Sequence, residues 1–137
     1  MKNILSKKPD EFIDKLAGEL KKLEEFKAPE WMLYVKTSSG KVRPPQDDDF
    51  WYKRAASILR QLYINAGIGV GKLRKRYGTR IKRGVRPDEF RKGSGNIIRK
   101  ILQQAEAAGL VEKQEKGRAL TDKGRSMLDN IETGGNE

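Results

Sequence analysis

The hydrophobic residues of this chain recur every three or four positions along several stretches, as they do on a helix with one buried face. The clearest stretch, from Ser94 to Ala108, places its apolar positions on one stripe: Ile97, Ile98, Ile101, Leu102, Ala105 and Ala108. Similar patterns predict helices at Pro9–Phe26, Phe50–Asn65, Val70–Tyr77 and from about Thr121 onward. The pattern therefore indicates a mainly α-helical protein with a buried core.

The second predicted helix separates apolar from polar residues with the same regularity. Its polar residues are expected to face solvent: Lys53, Arg54, Ser57 and Arg60. Trp51 lies on the apolar stripe and is expected in the core, whereas Tyr77 fits either the core or the surface.

Glycine and short polar residues mark the predicted helix ends. Gly67, Gly78 and Gly109 each follow a helical stretch, where glycine readily adopts the left-handed conformation that ends a helix. Ser94 or Asn96 is placed to cap the start of the fourth helix.

Three regions lack the helical pattern. Trp31–Val35 is a short apolar run that suits an extended conformation. Thr79–Glu89 is rich in charge and is predicted to be an irregular basic loop. Leu110–Gln114 and Arg118–Thr121 flank a turn that contains glycine, and they predict a β-hairpin.

The order helix, short helix, helix, two-strand hairpin is typical of a winged helix. The sequence thus predicts a mainly α, winged-helix-like domain with a small β-hairpin wing at residues 110–120. Additional helices are expected at the N- and C-terminal sides, and the length of 137 residues suits one domain over 1–137.

Composition narrows the possible functions. The chain has no Cys and no His, so thiolate chemistry, imidazole chemistry, disulfides and a conventional zinc site are excluded. We therefore expect no enzyme, no metal and no cofactor. No apolar run approaches the roughly 18 residues of a membrane span, and no signal peptide is recognisable. A cytoplasmic protein without membrane contact is expected.

Two motifs that invite a functional interpretation are better explained as structure. Gly67–Lys72 resembles a phosphate-binding loop, but Ala66 stands where that motif needs Gly, and Leu73 where it needs Ser or Thr. An interhelical turn explains the segment better. Asp47–Asp49 suits the start of a helix more than a metal site, because consecutive acids cannot all point at one ion.

Positive charge is concentrated in one quarter of the chain. The net charge is +11, and the segment from Gly67 to Lys100 contains twelve basic and two acidic residues. This segment therefore supplies +10 of the total. A solvated surface is the usual explanation for a run of charge, but acids alternate with bases elsewhere in the chain and are scarce here. The segment therefore favours a polyanion, and nucleic acid first.

The residue types in this segment suit phosphate. Arginine outnumbers lysine, and its planar guanidinium group binds phosphate in a bidentate manner and stacks on bases. Gly93–Asn96 opens the fourth helix, where free backbone N–H groups attract phosphate. Ser94 could contact phosphate there or act only as a helix cap.

Several segments resemble one known family, the archaeal and eukaryotic small-subunit ribosomal protein nineteen (S-nineteen-e) family. The most specific patterns are Trp-Tyr-x-Arg-Ala-Ala-Ser, which begins at Trp51, and Gly-Ser-x-x-x-x-Arg, which begins at Gly93. The resemblance covers nearly the whole chain and is carried by Pro45–Arg60, Gly69–Gly78, Phe90–Gln103, Gly109–Lys113 and Leu120–Gly124. The short tail resembles the archaeal members.

The resemblance implies a structural constituent of the small (30S) ribosomal subunit. Such a protein binds ribosomal RNA in the subunit head and supports subunit assembly and rRNA maturation. Its partners would be that RNA and neighbouring small-subunit proteins, with the chain a monomer within the ribosome. The Trp51–Tyr52 pair is expected to be mostly structural.

The expected rRNA-binding residues combine the charged segment with the family's RNA-binding face, the fourth helix and the loop before it. They are Lys72, Arg74, Lys75, Arg76, Arg80, Lys82, Arg83, Arg86, Arg91, Lys92, Ser94, Arg99 and Lys100. The alternative is a winged-helix DNA-binding transcriptional regulator, which would read the major groove with the fourth helix. The exposed side of that helix, with Arg99, Lys100, Gln103 and Gln104, does not decide between them.

Overall fold

Helices and two short strand pairs alternate along the chain in the computed structural model, which describes residues 9–24, 26, 27, 29, 50–65, 67–115 and 117–131. The side chains of residues 79, 81–83 and 88 lie outside that description. The elements are α1 (Pro9–Lys21), α2 (Phe50–Ile64), α3 (Val70–Arg76), β1 (Thr79–Arg83), β2 (Arg86–Arg91), α4 (Gly95–Ala107), β3 (Val111–Gln114), β4 (Gly117–Leu120) and α5 (Asp122–Asp129).

The core forms where α2 and α4 bury their apolar stripes. Helix α1 packs on α2, and α2 also contacts α4 and β4. The predicted stripes of both helices are confirmed, since Ile58 and Ile101 have no exposed surface. The largest fully buried side chains come from four helices and the segment after α1: Trp51, Phe12, Phe26, Leu16, Leu20, Ile58, Leu59, Leu62, Leu73, Ile98, Ile101 and Leu102.

A polar link joins three parts of this core. The Trp51 indole N–H donates a hydrogen bond of 2.8 Å to Gln104 Oε1 on α4. The Gln104 side-chain amide in turn donates to the Lys27 carbonyl oxygen at 3.0 Å. Because a buried indole N–H is costly without an acceptor, this link fixes where α2 lies against α4.

Strands β3 and β4 form the predicted wing, and their turn packs back onto the fold. Val111 pairs with Leu120 and Gln114 with Gly117 in an antiparallel register. Gly117 has φ 101°, and a Cβ there would lie 2.5 Å from the carbonyl carbon of Ile68. Only glycine permits this close approach, so the turn is held against the link between α2 and α3.

The winged-helix prediction is confirmed by the sequence of α2, α3, α4 and the β3–β4 wing, with α1 and α5 as additional helices. Ser94 caps α4, as its side chain accepts from the Ile97 N–H. No helix within the described ranges is long and apolar enough to span a membrane. The expected extended run at Trp31–Val35 and the expected helix start at Asp47–Asp49 lie outside the described residues.

The prediction of an irregular loop at Thr79–Glu89 is wrong. Strands β1 and β2 pair antiparallel there, from Thr79↔Arg91 to Arg83↔Arg86. Gly84 has φ 71°, the positive value that a two-residue hairpin turn needs at its first central position. The register shifts beyond Ile81, which leaves Pro87 in an irregularity where its missing N–H is tolerated.

Candidate nucleic-acid interface

The exposed cations of the charged segment lie on α3, on the β1–β2 hairpin and at the start of α4. We call them the basic surface. The hairpin leaves α3 after Gly78 and returns to α4 at Gly93, so the three elements share one junction. The exposed members of the surface are Lys72, Lys75, Arg76, Arg80, Arg86, Arg91, Lys92, Arg99 and Lys100. Lys82 and Arg83 belong to β1, but their side chains lie outside the described part.

The base of the hairpin is held by close backbone contacts. The Gly93 N–H donates to the Arg74 carbonyl oxygen at 2.8 Å. At Gly78, a Cβ would lie 2.5 Å from the Arg91 carbonyl oxygen and 2.5 Å from the Phe90 ring. These contacts leave no room for larger residues and fix the direction in which the hairpin leaves the helices.

Arg74 stabilises this junction and is not a freely exposed cation. Its Nε–H donates to the Gly93 carbonyl oxygen at 2.9 Å, and its side chain is half-buried beneath Gly95. Arg74 was predicted among the RNA-binding residues; the structure gives it a role in joining α3 to the start of α4.

Ser94 and the cations around it form the start of α4. Ser94 Oγ accepts from the Ile97 N–H at 3.4 Å, so the side chain acts as a cap. Its hydroxyl hydrogen is still able to donate to a phosphate. Lys92 precedes the cap and Arg99 follows within the next turns, both exposed, so charge and helix terminus attract an anion together.

Acidic side chains neutralise little of the basic surface. Glu89 lies 3.0 Å from Arg91, but both side chains are almost half exposed, at 45% and 46%. Such exposed pairs contribute little stability. Within the described ranges, the other cations of the basic surface form no salt bridge. The surface therefore keeps almost all of its positive charge for a partner.

A cluster between α2 and α3 was not predicted from the sequence. The Arg54 guanidinium stacks 4.2 Å from the centre of the Tyr77 ring and 5.0 Å from that of Phe50. The hydroxyl groups of Tyr77 and Ser57 share a hydrogen bond of 2.6 Å. Arg54 and Ser57 are thus half-buried against α3, and the expectation that they face solvent is wrong.

Burial sets the electrostatics of this cluster. It raises the pKa of Tyr77, while the hydrogen bond with Ser57 and the charge of Arg54 oppose that rise. Burial also lowers the pKa of Arg54, although a guanidinium stays charged at neutral pH. Arg60 was also expected to face solvent but is half-buried, and its buried Nε has no hydrogen-bond partner among the described atoms.

Two features of the wing and α4 bear on DNA reading. The Arg118 guanidinium group pairs with Glu106 on α4. The backbone N–H of Arg118 donates to the Ile68 carbonyl oxygen at 2.9 Å. The wing is thereby bound within the fold. Gln104, one of four residues considered for base contacts, is already bonded to Trp51.

The described residues contain no group of three or more Asp or Glu side chains placed to hold a metal ion.

Comparison with known proteins gives one family. The family model described as ribosomal protein S19e matches residues 3–134. A small ribosomal subunit protein eS19 from Aeropyrum pernix is 48% identical over 132 residues, covering 94% of this chain and 86% of the relative. A protein of the same name from Haloarcula marismortui is 46% identical, and the match covers 88% of this chain and 82% of the relative. Another from Oryza sativa is 44% identical, and the match covers 90% of this chain and 85% of the relative.

Proposed function

The chain belongs to the ribosomal protein S19e family, and we propose that it is a structural component of the small ribosomal subunit that binds ribosomal RNA through the basic surface. It would act in the cytoplasm, as a monomer in the subunit head, beside other small-subunit proteins. A contribution to subunit assembly and rRNA maturation belongs to the same proposal.

One observation carries the RNA-binding part. Cations from α3, the hairpin and α4 are exposed around one rigid junction, and the described acids neutralise almost none of them. A hairpin between two helices offers its charges along an arm, which suits the irregular path of phosphates on folded RNA. Folded RNA is recognised mainly by shape and backbone, so a fixed array of cations is the appropriate recognition device.

The DNA-binding alternative receives less support from the structure. A regulator of this fold needs its recognition helix and wing available for grooves. Here the turn of the wing packs on Ile68, and the half-buried Gln104 is already bonded to Trp51. Exposed cations lie on α3 and α4 and also on the β1–β2 hairpin, which is inserted before the helix that would enter the groove. We propose no catalytic function.

The proposal is tested by removing single cations from the basic surface. We expect Arg99→Ala and Arg86→Ala each to weaken binding to small-subunit rRNA and to leave the melting temperature nearly unchanged. Each lost phosphate contact should lower the slope of log affinity against log salt by about 0.7–0.9. Lys113→Ala is the matched control, because it removes the same charge from an exposed position on the wing.

The same variants are followed into the ribosome by co-sedimentation with small subunits at moderate salt. Wild-type and Lys113→Ala protein should sediment with the subunit, and Arg99→Ala should be depleted. Equal salt slopes for all four proteins would contradict the proposed surface. Absence of the wild-type protein from the subunit fraction, with tight binding to a DNA palindrome, would contradict the ribosomal function itself.

A further inference from the structure

A cavity of about 550 Å³ opens between α2 and α3, beside the basic surface. Its polar lining consists of two amides from the end of α2, Gln61 and Asn65, and two cations one turn apart on α3, Lys72 and Arg76. Its volume falls within the range of about 300–1,000 Å³ that is usual for small-ligand sites. Among the described residues, no acidic side chain lines it.

The other side of the cavity is apolar. Ile64, Ile68 and Leu73 line it; Leu73 is 1% exposed and Ile68 is 8% exposed. These two side chains are held by the core, so they form a fixed floor. An apolar floor of this kind suits the face of a flat, weakly polar group.

The amides of the cavity have hydrogen-bonding capacity to spare. A carboxamide carries two donor hydrogens and an acceptor oxygen. Within the described ranges, the side chains of Gln61 and Asn65 form no hydrogen bond with the protein. Gln61 is half-buried and Asn65 is exposed, so the pair presents donors and acceptors at the rim, between the floor and the solvent.

These three parts match the three parts of a nucleotide. An inorganic phosphate would use the cations alone, and a purely apolar ligand would leave the cations and amides without partners. The base of a nucleotide has a flat face for the floor and a polar edge for the amides, and the phosphate of the same nucleotide suits the cations. Hydrogen bonds along the base edges are one of the means by which unpaired RNA bases are recognised.

We propose that the α2–α3 cavity holds one unstacked nucleotide of the bound RNA, with its base edge at Gln61 and Asn65 and its phosphate at Lys72 and Arg76. This proposal rests on the proposed function and adds base recognition to it. Gln61 and Asn65 are additional binding residues, because the distribution of charge along the chain indicates only the basic residues. The neighbouring phosphates of the same strand then continue onto the basic surface.

The first experiment uses isotope-labelled full-length protein and NMR titration with the four nucleoside 5′-monophosphates. The side-chain amide signals of Gln61 and Asn65 should shift with at least one nucleotide and remain unshifted with inorganic phosphate. Unshifted amides at saturating nucleotide would overturn the proposal, and so would equal shifts with phosphate alone.

The second experiment compares two RNA hairpins that differ only in one bulged nucleotide. Wild-type protein should bind the bulged hairpin more tightly than the other hairpin. Gln61→Leu and Asn65→Leu should each reduce that preference about threefold to tenfold, which is the change in affinity that the loss of one hydrogen bond usually causes. The matched control is Gln114→Leu, an exposed glutamine on the wing. Circular dichroism verifies that each variant is folded.

The outcomes separate the two proposals. Equal affinity for both hairpins, with binding to small-subunit rRNA retained, would overturn the nucleotide pocket and leave the proposed function intact. Failure to bind either hairpin or the rRNA would overturn both. A free mononucleotide that binds more tightly than the bulged RNA would indicate a small-molecule site and overturn the pocket as a part of RNA binding.

Discussion

Replacing Gly124 by alanine tests how closely α5 packs on the wing. Gly124 lies in the first turn of α5 and is buried. A Cβ at this position would lie 2.3 Å from the Leu110 carbonyl oxygen and 3.2 Å from Leu120 Cδ2. The first contact is with backbone, so no rotation of a side chain relieves it. Either α5 or the start of β3 must move away by about 1 Å to reach ordinary contact distance.

The magnitude follows from three contributions. Overpacking of a closely packed site costs about 1–3 kcal/mol. Displacement of the Leu110 carbonyl also weakens its 3.0 Å hydrogen bond from the Thr121 N–H, which costs about 0.5–1.5 kcal/mol. Alanine recovers about 0.5–1 kcal/mol of helix propensity. We therefore expect Gly124→Ala to lower the free energy of unfolding by about 0.5–4 kcal/mol.

Gly18→Ala is the matched control and should have the opposite sign. Gly18 is also a helical glycine, but a Cβ there meets no atom within 4 Å. Only the helix propensity then changes, and Gly18→Ala should stabilise the protein by about 0.5–1 kcal/mol. Urea unfolding followed by circular dichroism measures both variants, and an unchanged m-value confirms that stability alone has changed. The packing argument is refuted if Gly124→Ala is as stable as the wild type, or if Gly18→Ala is destabilised to the same extent.

Two further predictions concern the core and the cluster between α2 and α3. Ile101→Ala should cost about 2–5 kcal/mol in urea unfolding, because Ile101 is fully buried at the centre of α4; a near-neutral result would mean that the faces of α4 are assigned backwards. The pKa of Tyr77 lies above its ordinary value of 10.0, mainly through burial, so the folded state holds this proton more tightly than the unfolded state. The resulting stability is present below about pH 10 and is lost as the pH rises above it. In an absorbance titration of tyrosinate, Tyr77→Phe should remove a phenol that ionises at higher pH than an ordinary tyrosine. If the substitution instead removes a phenol that ionises at lower pH, the buried environment of Tyr77 is contradicted.

The sequence predicted the elements that combine an apolar stripe with end signals. Helix α4 was predicted at 94–108 and spans Gly95–Ala107, because Ser94 caps it and Gly109 follows it with φ 78°. Periodicity alone was less exact for α1, which ends at Lys21 although Phe26 is also buried. The spacing of apolar residues indicates which residues are buried, and it does not show where a helix ends. Phe26 is buried in the core although it lies beyond the end of α1.

The β1–β2 hairpin could not be found from hydrophobic alternation. Arg80, Arg86 and Phe90 are all exposed, and Val85 at the turn is fully exposed. The hairpin side chains that the structure describes are exposed, and exposed positions leave no alternation of buried and polar residues in the sequence. The local feature that indicates a turn is Gly84, which lies between two short basic segments. The high charge of those segments instead favoured the prediction of a loop.

The candidate site was predictable as a set of cations but not as a division of roles. Nothing in the sequence separates Arg74 from Arg76, yet the first binds the Gly93 carbonyl oxygen and the second is exposed. The stacking of Arg54 on Tyr77 joins residues that are distant in the chain. Such roles depend on tertiary contacts, which composition and spacing do not contain.

The scarcity of acidic partners on the basic surface has a consequence for the stability of the free protein. Like charges held on one side of a fold repel one another, and this repulsion extends to about 10 Å at 0.1 M salt and about 30 Å at 0.01 M. Added salt should thus stabilise the free protein while it weakens the proposed RNA binding. In the proposed complex, RNA would supply the counter-charge that the protein lacks and would stabilise the folded state by mass action. The free protein should therefore be least stable in the low-salt conditions that would favour the proposed complex most.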